Sequence, residues 1–260
     1  MTDILTNGVI VPLVTPYFFE DIFPLIDHII QGGIDKIFIL GTTGEGTKLS
    51  QNQKISAIRS IASFIGNRAH LLIGIPSKSL TDSLQLIHIS NEIGACASVI
   101  SPLLIQEDTP PLIDYLLTHS SGNFILYNNP CLTKNRSIPL EQIEPFFSEK
   151  RILAIKDSSG DLDYLDRLLE KRGNSHFKIF YGREHHLAKA MERPIDGFVP
   201  GCGNIEPQLV LKIWESGDAK SWDRWYELKT AITNKNPNYL MGLKALLQER
   251  GLLTSAASLK

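Results

Sequence analysis

Long hydrophobic runs, blocks of one charge and paired cysteines are all missing from this chain of 260 residues. No apolar stretch approaches the ~20 residues that cross a bilayer. Met1-Thr2-Asp3-Ile4 lacks the basic and then apolar regions of a signal peptide. The three cysteines, Cys96, Cys131 and Cys202, are odd in number and far apart, which argues against a disulfide framework. The 26 basic and 28 acidic side chains leave a formal net charge of −2 with no run of either sign. Neither a nucleic-acid surface nor a polybasic membrane anchor is expected from that balance. HExxH and zinc-spaced Cys/His clusters are absent, as are the Gly-x-Ser-x-Gly elbow, the Rossmann glycine fingerprint and the GxxxxGK[ST] phosphate loop. These absences predict a soluble cytoplasmic protein without a metal site.

What is present is a repeat of short apolar runs, each followed by a polar turn and a stretch of helical periodicity. The runs are Val9–Val14, Ile37–Leu40, Leu71–Ile75, Ala97–Ile100, Phe124–Tyr127, Ile152–Ile155, Lys178–Tyr181 and Gly197–Val199. Most are apolar without alternation, as parallel strands buried on both faces should be. Eight such runs with helices between them predict an α/β protein, a (β/α)8 TIM barrel, over residues 1–217. Two helical stretches without a strand, Trp222–Ile232 and Tyr239–Gln248, predict a short C-terminal helical extension over 218–260.

Helix signals fall between the runs. Ser50 with Gln53 has the form of a capping box, with Gly66 placed to end that helix. Thr81 and Gly94 bracket a second helix, and Thr109-Pro110 reads as N-cap and first helical residue of a third. Gly160-Asp161 opens a helix ending near Gly173, and Glu206-Pro207 one ending near Gly217.

In a barrel of parallel strands, chemistry collects where strands end and βα loops begin. Lys156 closes the apolar run Ile152-Leu153-Ala154-Ile155. An amine in such surroundings resists protonation, and a neutral amine attacks carbonyls to give a Schiff base. A lysine that snorkels out at the strand end, or pairs with Asp157, is the commoner outcome for such a residue taken alone. Tyr127 ends the fifth run before Asn128-Asn129-Pro130 and offers a phenol for proton transfer, or an aromatic packed at the rim. Gly41-Thr42-Thr43-Gly44 precedes the Ser50 helix with amides and hydroxyls that suit a carboxylate, or is simply a turn. His185 and His186 are adjacent and point apart, and Cys131 follows Tyr127 closely.

GTTGE at 41–45, YNNP at 127–130 and AIKDSSGD at 154–161 occur in that order at strand ends. With Gly8–Pro16 and the Gly203-Asn204 region, they make the chain resemble the pyruvate-dependent aldolases. That family includes dihydrodipicolinate synthase, N-acetylneuraminate lyase and 2-keto-3-deoxygluconate aldolase. The resemblance implies that Lys156 is the Schiff-base residue and Tyr127 the proton relay. It implies that Thr42 and Thr43 hold the pyruvate carboxylate, with Thr43 also bridging toward Tyr127, and that Gly182, Val199, Pro12 and Phe38 line the pocket. It further implies no metal or organic cofactor, a 2-oxo acid and an aldehyde as partners, and a homo-oligomer, dimer or tetramer.

Departures from the family pattern bear on substrate. Synthases usually carry Arg five residues after the relay tyrosine, where this chain has Leu132, and Tyr in the fourth βα loop, where it has Leu104. Ile34–Phe38, Gly46 and Leu49-Ser50 look closer to archaeal sugar-acid aldolases, while Glu45 departs from them. The expected activity is therefore class I cleavage of 2-keto-3-deoxygluconate to pyruvate and an aldehyde such as glyceraldehyde. A dihydrodipicolinate synthase, an N-acetylneuraminate lyase and a keto-acid-binding barrel without turnover are the alternatives. Glu107 and Asp108 in the fourth loop are expected to disfavour a phosphorylated substrate, unless Lys134, Arg136 or Arg183 reaches in from a neighbouring loop.

Overall fold

The computed structural model describes residues 5–105 and 109–259. Glu107 and Asp108, on which the expectation about phosphate partly rests, lie outside the described residues. The strands are β1 (Gly8–Val9), β2 (Val11–Pro12), β3 (Lys36–Ile39), β4 (His70–Gly74), β5 (Ala97–Ile100), β6 (Phe124–Asn128), β7 (Ile152–Asp157), β8 (Lys178–Tyr181) and β9 (Gly197–Phe198). They agree with the runs in the sequence except at the start. Val9–Val14 is not one strand: Ile10 separates β1 from β2, because the ladder to β3 begins only at Val11, opposite Ile37.

The chain forms two compact units. One holds the residues up to Asn7 together with Leu72–Val199. Within it each strand pairs with its successor in the chain, from β4 with β5 to β8 with β9, and every pair is parallel. Helices Leu80–Glu92, Thr109–His119 and Leu162–Arg172 connect these strands. Asp161 caps the last of them by accepting from the Tyr164 N–H at 3.0 Å, and Gly173 ends it. The helix expected from Thr81 begins earlier, at Leu80, because Ser79 accepts from the Asp82 N–H and takes the cap. Thr109 is itself helical rather than the cap before the helix.

The other unit comprises Gly8–Leu71 and the residues from Pro200 on. Here β2 and β3 pair in parallel, and helices Ile22–Gln31 and Gln51–Ile65 follow them. The capping box on the second helix is complete: the Ser50 side chain accepts from the Gln53 N–H, and the Gln53 side chain from the Ser50 N–H. After Pro207–Glu215 come the two helices of the C-terminal extension, Ala219–Lys235 and Tyr239–Glu249. The first is longer than its apolar periodicity suggested, because Asp218 caps it upstream of Trp222 by accepting from the Ser221 N–H. Among the described residues no helix is long and apolar enough to cross a membrane.

One side chain ties the start of this unit to its return. Asn204 is fully buried; its Oδ1 accepts from the Val14 N–H at 3.0 Å, and its Nδ2 donates to the carbonyls of Pro12 (2.9 Å) and Gly201 (2.8 Å). These backbone groups have little access to water, so losing the amide leaves them unsatisfied. Asn204→Ala is expected to cost about 2–4 kcal/mol of stability, read as a lower urea midpoint at unchanged slope. A midpoint within error of the parent protein overturns this view of the residue.

Candidate active site

β6 and β7 run side by side in parallel, with Tyr127 opposite Lys156 and Asn128 opposite Asp157. Successive side chains on a strand point to opposite faces, so the register creates two pairs, one on each face. On the first, the Lys156 Nζ lies 4.3 Å from the centre of the Tyr127 ring. Both residues are buried, 7% and 6% exposed. The Asn129 side chain donates to the Tyr127 hydroxyl at 2.8 Å.

The second face holds Asp157. Its Oδ1 accepts from the Asn128 side chain at 2.8 Å and from the Ser159 N–H at 3.2 Å, and its Oδ2 from the Ser159 hydroxyl at 3.0 Å. Asn128 in turn accepts from the Ile138 N–H at 3.0 Å. The pairing of Lys156 with Asp157 that the bare sequence allows is thus opposed by strand geometry. Burial pushes the Asp157 carboxyl up to about 6, against the hydrogen bonds from Asn128 and Ser159 that favour its charged form.

Gly182, at the end of β8, donates its N–H to the Asp157 carbonyl at 2.6 Å. A Cβ there would lie 2.2 Å from the Ser158 Oγ and 2.9 Å from the Lys156 Cε, so only glycine leaves room for the lysine side chain. Val199 is buried and continues the β8–β9 ladder, its N–H donating to the Tyr181 carbonyl at 2.8 Å. Ser158 was not singled out from the sequence. It lies two residues beyond Lys156, hence toward the same face, and its buried hydroxyl has no hydrogen-bond partner. The i, i+2 spacing from a strand-end lysine is the signal that would have found it. Cys131 is exposed, and the Arg183 guanidinium lies 3.8 Å from its Sγ. His185 and His186 belong to a 3-10 turn, Glu184–His186, and the His186 ring is bonded to the Gly160 carbonyl.

In the other unit, Pro12 and Phe38 are direct neighbours across β2 and β3, both buried. The Phe38 ring packs on Gly41, where a Cβ would come within 2.6 Å of it. The Gly41–Gly46 turn closes on itself through Glu45 N–H to Thr42 carbonyl (3.1 Å) and Gly46 N–H to Gly41 carbonyl (3.2 Å). Thr42 is exposed and Thr43 half-buried at its tip. Leu40 and Glu45 flank the tip in left-handed backbone, φ 57° and 51°. Non-glycine residues held that way cost roughly 1–3 kcal/mol each and persist only where neighbours enforce them. The turn precedes the Ser50 helix, with a 3-10 turn, Gly46–Lys48, and Leu49 between them. Its amides therefore do not sit at that helix N-terminus. Among the described residues no group of three or more His, Cys, Asp or Glu is arranged to hold a metal ion.

The sequence pattern of the dihydrodipicolinate synthetase family matches residues 5–259. The chain belongs to that family. Its fold is accordingly the family's (β/α)8 barrel with a C-terminal helical extension. A dihydrodipicolinate synthase structure from Bacteroides thetaiotaomicron superposes with a TM-score of 0.86 at 27% identity, over 97% of this chain and 91% of that one. The putative 2-dehydro-3-deoxy-D-gluconate aldolase YagE of Escherichia coli is 28% identical over 203 residues, 75% of this chain and 67% of that protein. Its structure in complex with pyruvate superposes with a TM-score of 0.84 at 22% identity, over 98% and 92%. An uncharacterised DapA-like lyase of Thermococcus kodakarensis is 26% identical over 245 residues, 90% of this chain and 83% of that protein. Members of the family are pyruvate-dependent lyases of the aldolase type, which work through a Schiff base and need no external cofactor.

Asp157 gives this site a pH signature in stability. The folded protein holds the Asp157 proton more tightly than the unfolded chain, so the group's stabilising effect is complete below its ordinary pKa and is lost as pH rises through about 6. Asp157→Asn cannot titrate. The stability difference between variant and parent should therefore move in the variant's favour by roughly 1–3 kcal/mol from about pH 4 to about pH 6.5. Urea melts showing a flat difference across that window overturn the assignment.

Proposed function

We propose that the chain is a Schiff-base aldolase acting through Lys156 that cleaves 2-keto-3-deoxygluconate-type sugar acids to pyruvate and an aldehyde such as glyceraldehyde. The observation that carries this reading is the Tyr127–Lys156 pair, a buried amine facing a buried phenol across one parallel ladder. In this reading the Lys156 amine attacks the keto carbon and water leaves, giving a protonated imine. Tyr127, having given its phenol proton to the departing water, takes the proton of the C4 hydroxyl; the C3–C4 bond breaks with its electron pair flowing into the imine, and the aldehyde departs. Protonation of the enamine at C3 and hydrolysis of the imine release pyruvate and restore the amine. Thr42 and Thr43 take the substrate carboxylate, and Gly182, Val199, Pro12 and Phe38 contribute to the substrate site, as the family resemblance implies. The same resemblance favours a homo-oligomer, a dimer or tetramer.

The substrate part of the proposal rests on two leucines at positions where the synthases usually carry Arg and Tyr. Leu132 is half-buried in the 3-10 turn that follows Asn129, and Leu104 half-buried in the helix Pro102–Ile105. Apolar side chains at the positions of the synthases' Arg and Tyr offer nothing to the second carboxylate of a semialdehyde. The name of the YagE relative points the same way. A second reading, as a dihydrodipicolinate synthase, is favoured by the Bacteroides structure, which bears that name.

Borohydride with pyruvate is expected to add one reduced pyruvate at Lys156 and inactivate the protein. Lys156→Arg should not be trapped, since guanidinium stays protonated and is no nucleophile. A peptide map with the adduct elsewhere sinks the mechanism.

Substrate choice is read from side-by-side kinetics. The kcat/KM for 2-keto-3-deoxygluconate should exceed that for its 6-phosphate, with little condensation of aspartate semialdehyde with pyruvate. Preference for the phosphate ester would mean that a loop cation such as Arg183 reaches the substrate. Efficient semialdehyde condensation would establish the second reading instead.

A further inference from the structure

We infer that Glu45 is a positioning residue, through which the segment 254–259 holds the Gly41–Gly46 turn in its substrate-binding form. The inference rests on the proposal that Thr42 and Thr43 take the substrate carboxylate.

The Glu45 carboxylate is buried and receives three side chains. Lys244, on the helix Tyr239–Glu249, pairs with its Oε2, the two side chains being 0% and 2% exposed. Ser258 donates to its Oε1, and Lys48 reaches the same oxygen at 2.9 Å. Both cations also bind the segment. Lys48 donates to the Ser258 hydroxyl at 2.5 Å and to the Leu259 carbonyl at 3.1 Å, and Lys244 to the Ala257 carbonyl at 3.2 Å. At its other end, the Thr254 N–H and hydroxyl donate to Asp21 Oδ2 at 2.8 and 2.7 Å, and the Gln248 side chain to the Thr254 carbonyl at 3.0 Å. Burial pulls the Glu45 carboxyl up, yet the hydrogen bonds from Lys244, Ser258 and Lys48 outweigh it and hold the group below the usual carboxylate range.

The same residue is bound into the turn. Its left-handed backbone is the turn's exit, and its N–H closes on the Thr42 carbonyl. On the inner side, Thr15 Oγ1 donates to the Gly44 carbonyl at 2.6 Å, and a Cβ on Gly44 would meet the Leu13 carbonyl at 2.9 Å. The turn is thus gripped at Gly44 by the strand side and at Glu45 by the segment, immediately after Thr42 and Thr43. Burying an ion pair contributes less to stability than packing apolar groups of the same size, but it fixes geometry in a way that apolar packing does not. A pair placed here sets the orientation of the two threonines without touching the substrate itself.

The test separates binding of pyruvate from imine chemistry. Borohydride inactivation is followed against pyruvate concentration for the parent protein, Ser258→Ala, Ser258→Thr and a chain ending at Leu253, with a thermal melt of each. Half-saturating pyruvate should rise about threefold in Ser258→Ala and about tenfold in the shortened chain, with the limiting rate within about twofold of the parent. Ser258→Thr, which keeps the hydroxyl, should behave as the parent. Unmoved half-saturation in the folded variants, or a change in limiting rate alone, overturns the inference. If the shortened chain does not fold, the Ser258 pair decides. A parent protein that is not trapped at all refutes the Lys156 reading and this inference with it, whereas a trapped parent with unmoved variants refutes this inference alone.

Discussion

The ladder between β6 and β7 is the constraint on which the candidate site depends. Parallel pairing with Tyr127 opposite Lys156 also sets Asn128 opposite Asp157, and the hydrogen bond between these two holds the register from the reverse face. A slip of one residue would turn every side chain of a strand to the other face. It would bring Asp157 toward the phenol and bury Lys156 among groups suited to a carboxylate. The polar pair behind the sheet therefore does for the register what apolar packing alone, insensitive to such a slip in a sheet covered on both faces, does not.

This arrangement separates two ionisable neighbours by nothing more than strand geometry. Asp157 is satisfied by Asn128 and Ser159 and burdened by burial, which lifts its pKa to about 6. Lys156 shares its face with a phenol ring, the orphan hydroxyl of Ser158 and the bare backbone of Gly182. In the proposed mechanism the phenol is the proton carrier for this amine, and the ring lies beside it. Gly182 matters here for what it lacks: its missing side chain is where the Lys156 Cε lies.

Features made by neighbours in the chain were legible in the sequence. The buried strands announced themselves as apolar runs, and the Ser50 capping box as a hydroxyl three residues before a glutamine. Local competition already blurred the picture at Ser79 and Thr81, two hydroxyls two residues apart, of which the first takes the cap. The pairing of Tyr127 with Lys156 could be expected only from family resemblance, because register is a property of two strands that neither sequence segment contains alone. Asn204, bonded across 190 positions to Val14, and Lys244, across 199 to Glu45, carry no local signature at all. Ser158 lay in plain view beside the lysine, and strand alternation would have placed it.

Glu45 shows how a departure in sequence acquires a physical meaning. Set against archaeal sugar-acid aldolases it looked like a drift toward other subfamilies. In the structure its carboxylate is a buried anion answered by Lys48, Lys244 and Ser258. An acid at this position without Lys244 would lose its fully buried cation and keep only the half-exposed Lys48, and Lys244 without the acid would be a buried charge lacking its anion. The two positions are therefore constrained together, although nearly two hundred residues separate them. The left-handed backbone at Glu45 is where this support meets the turn.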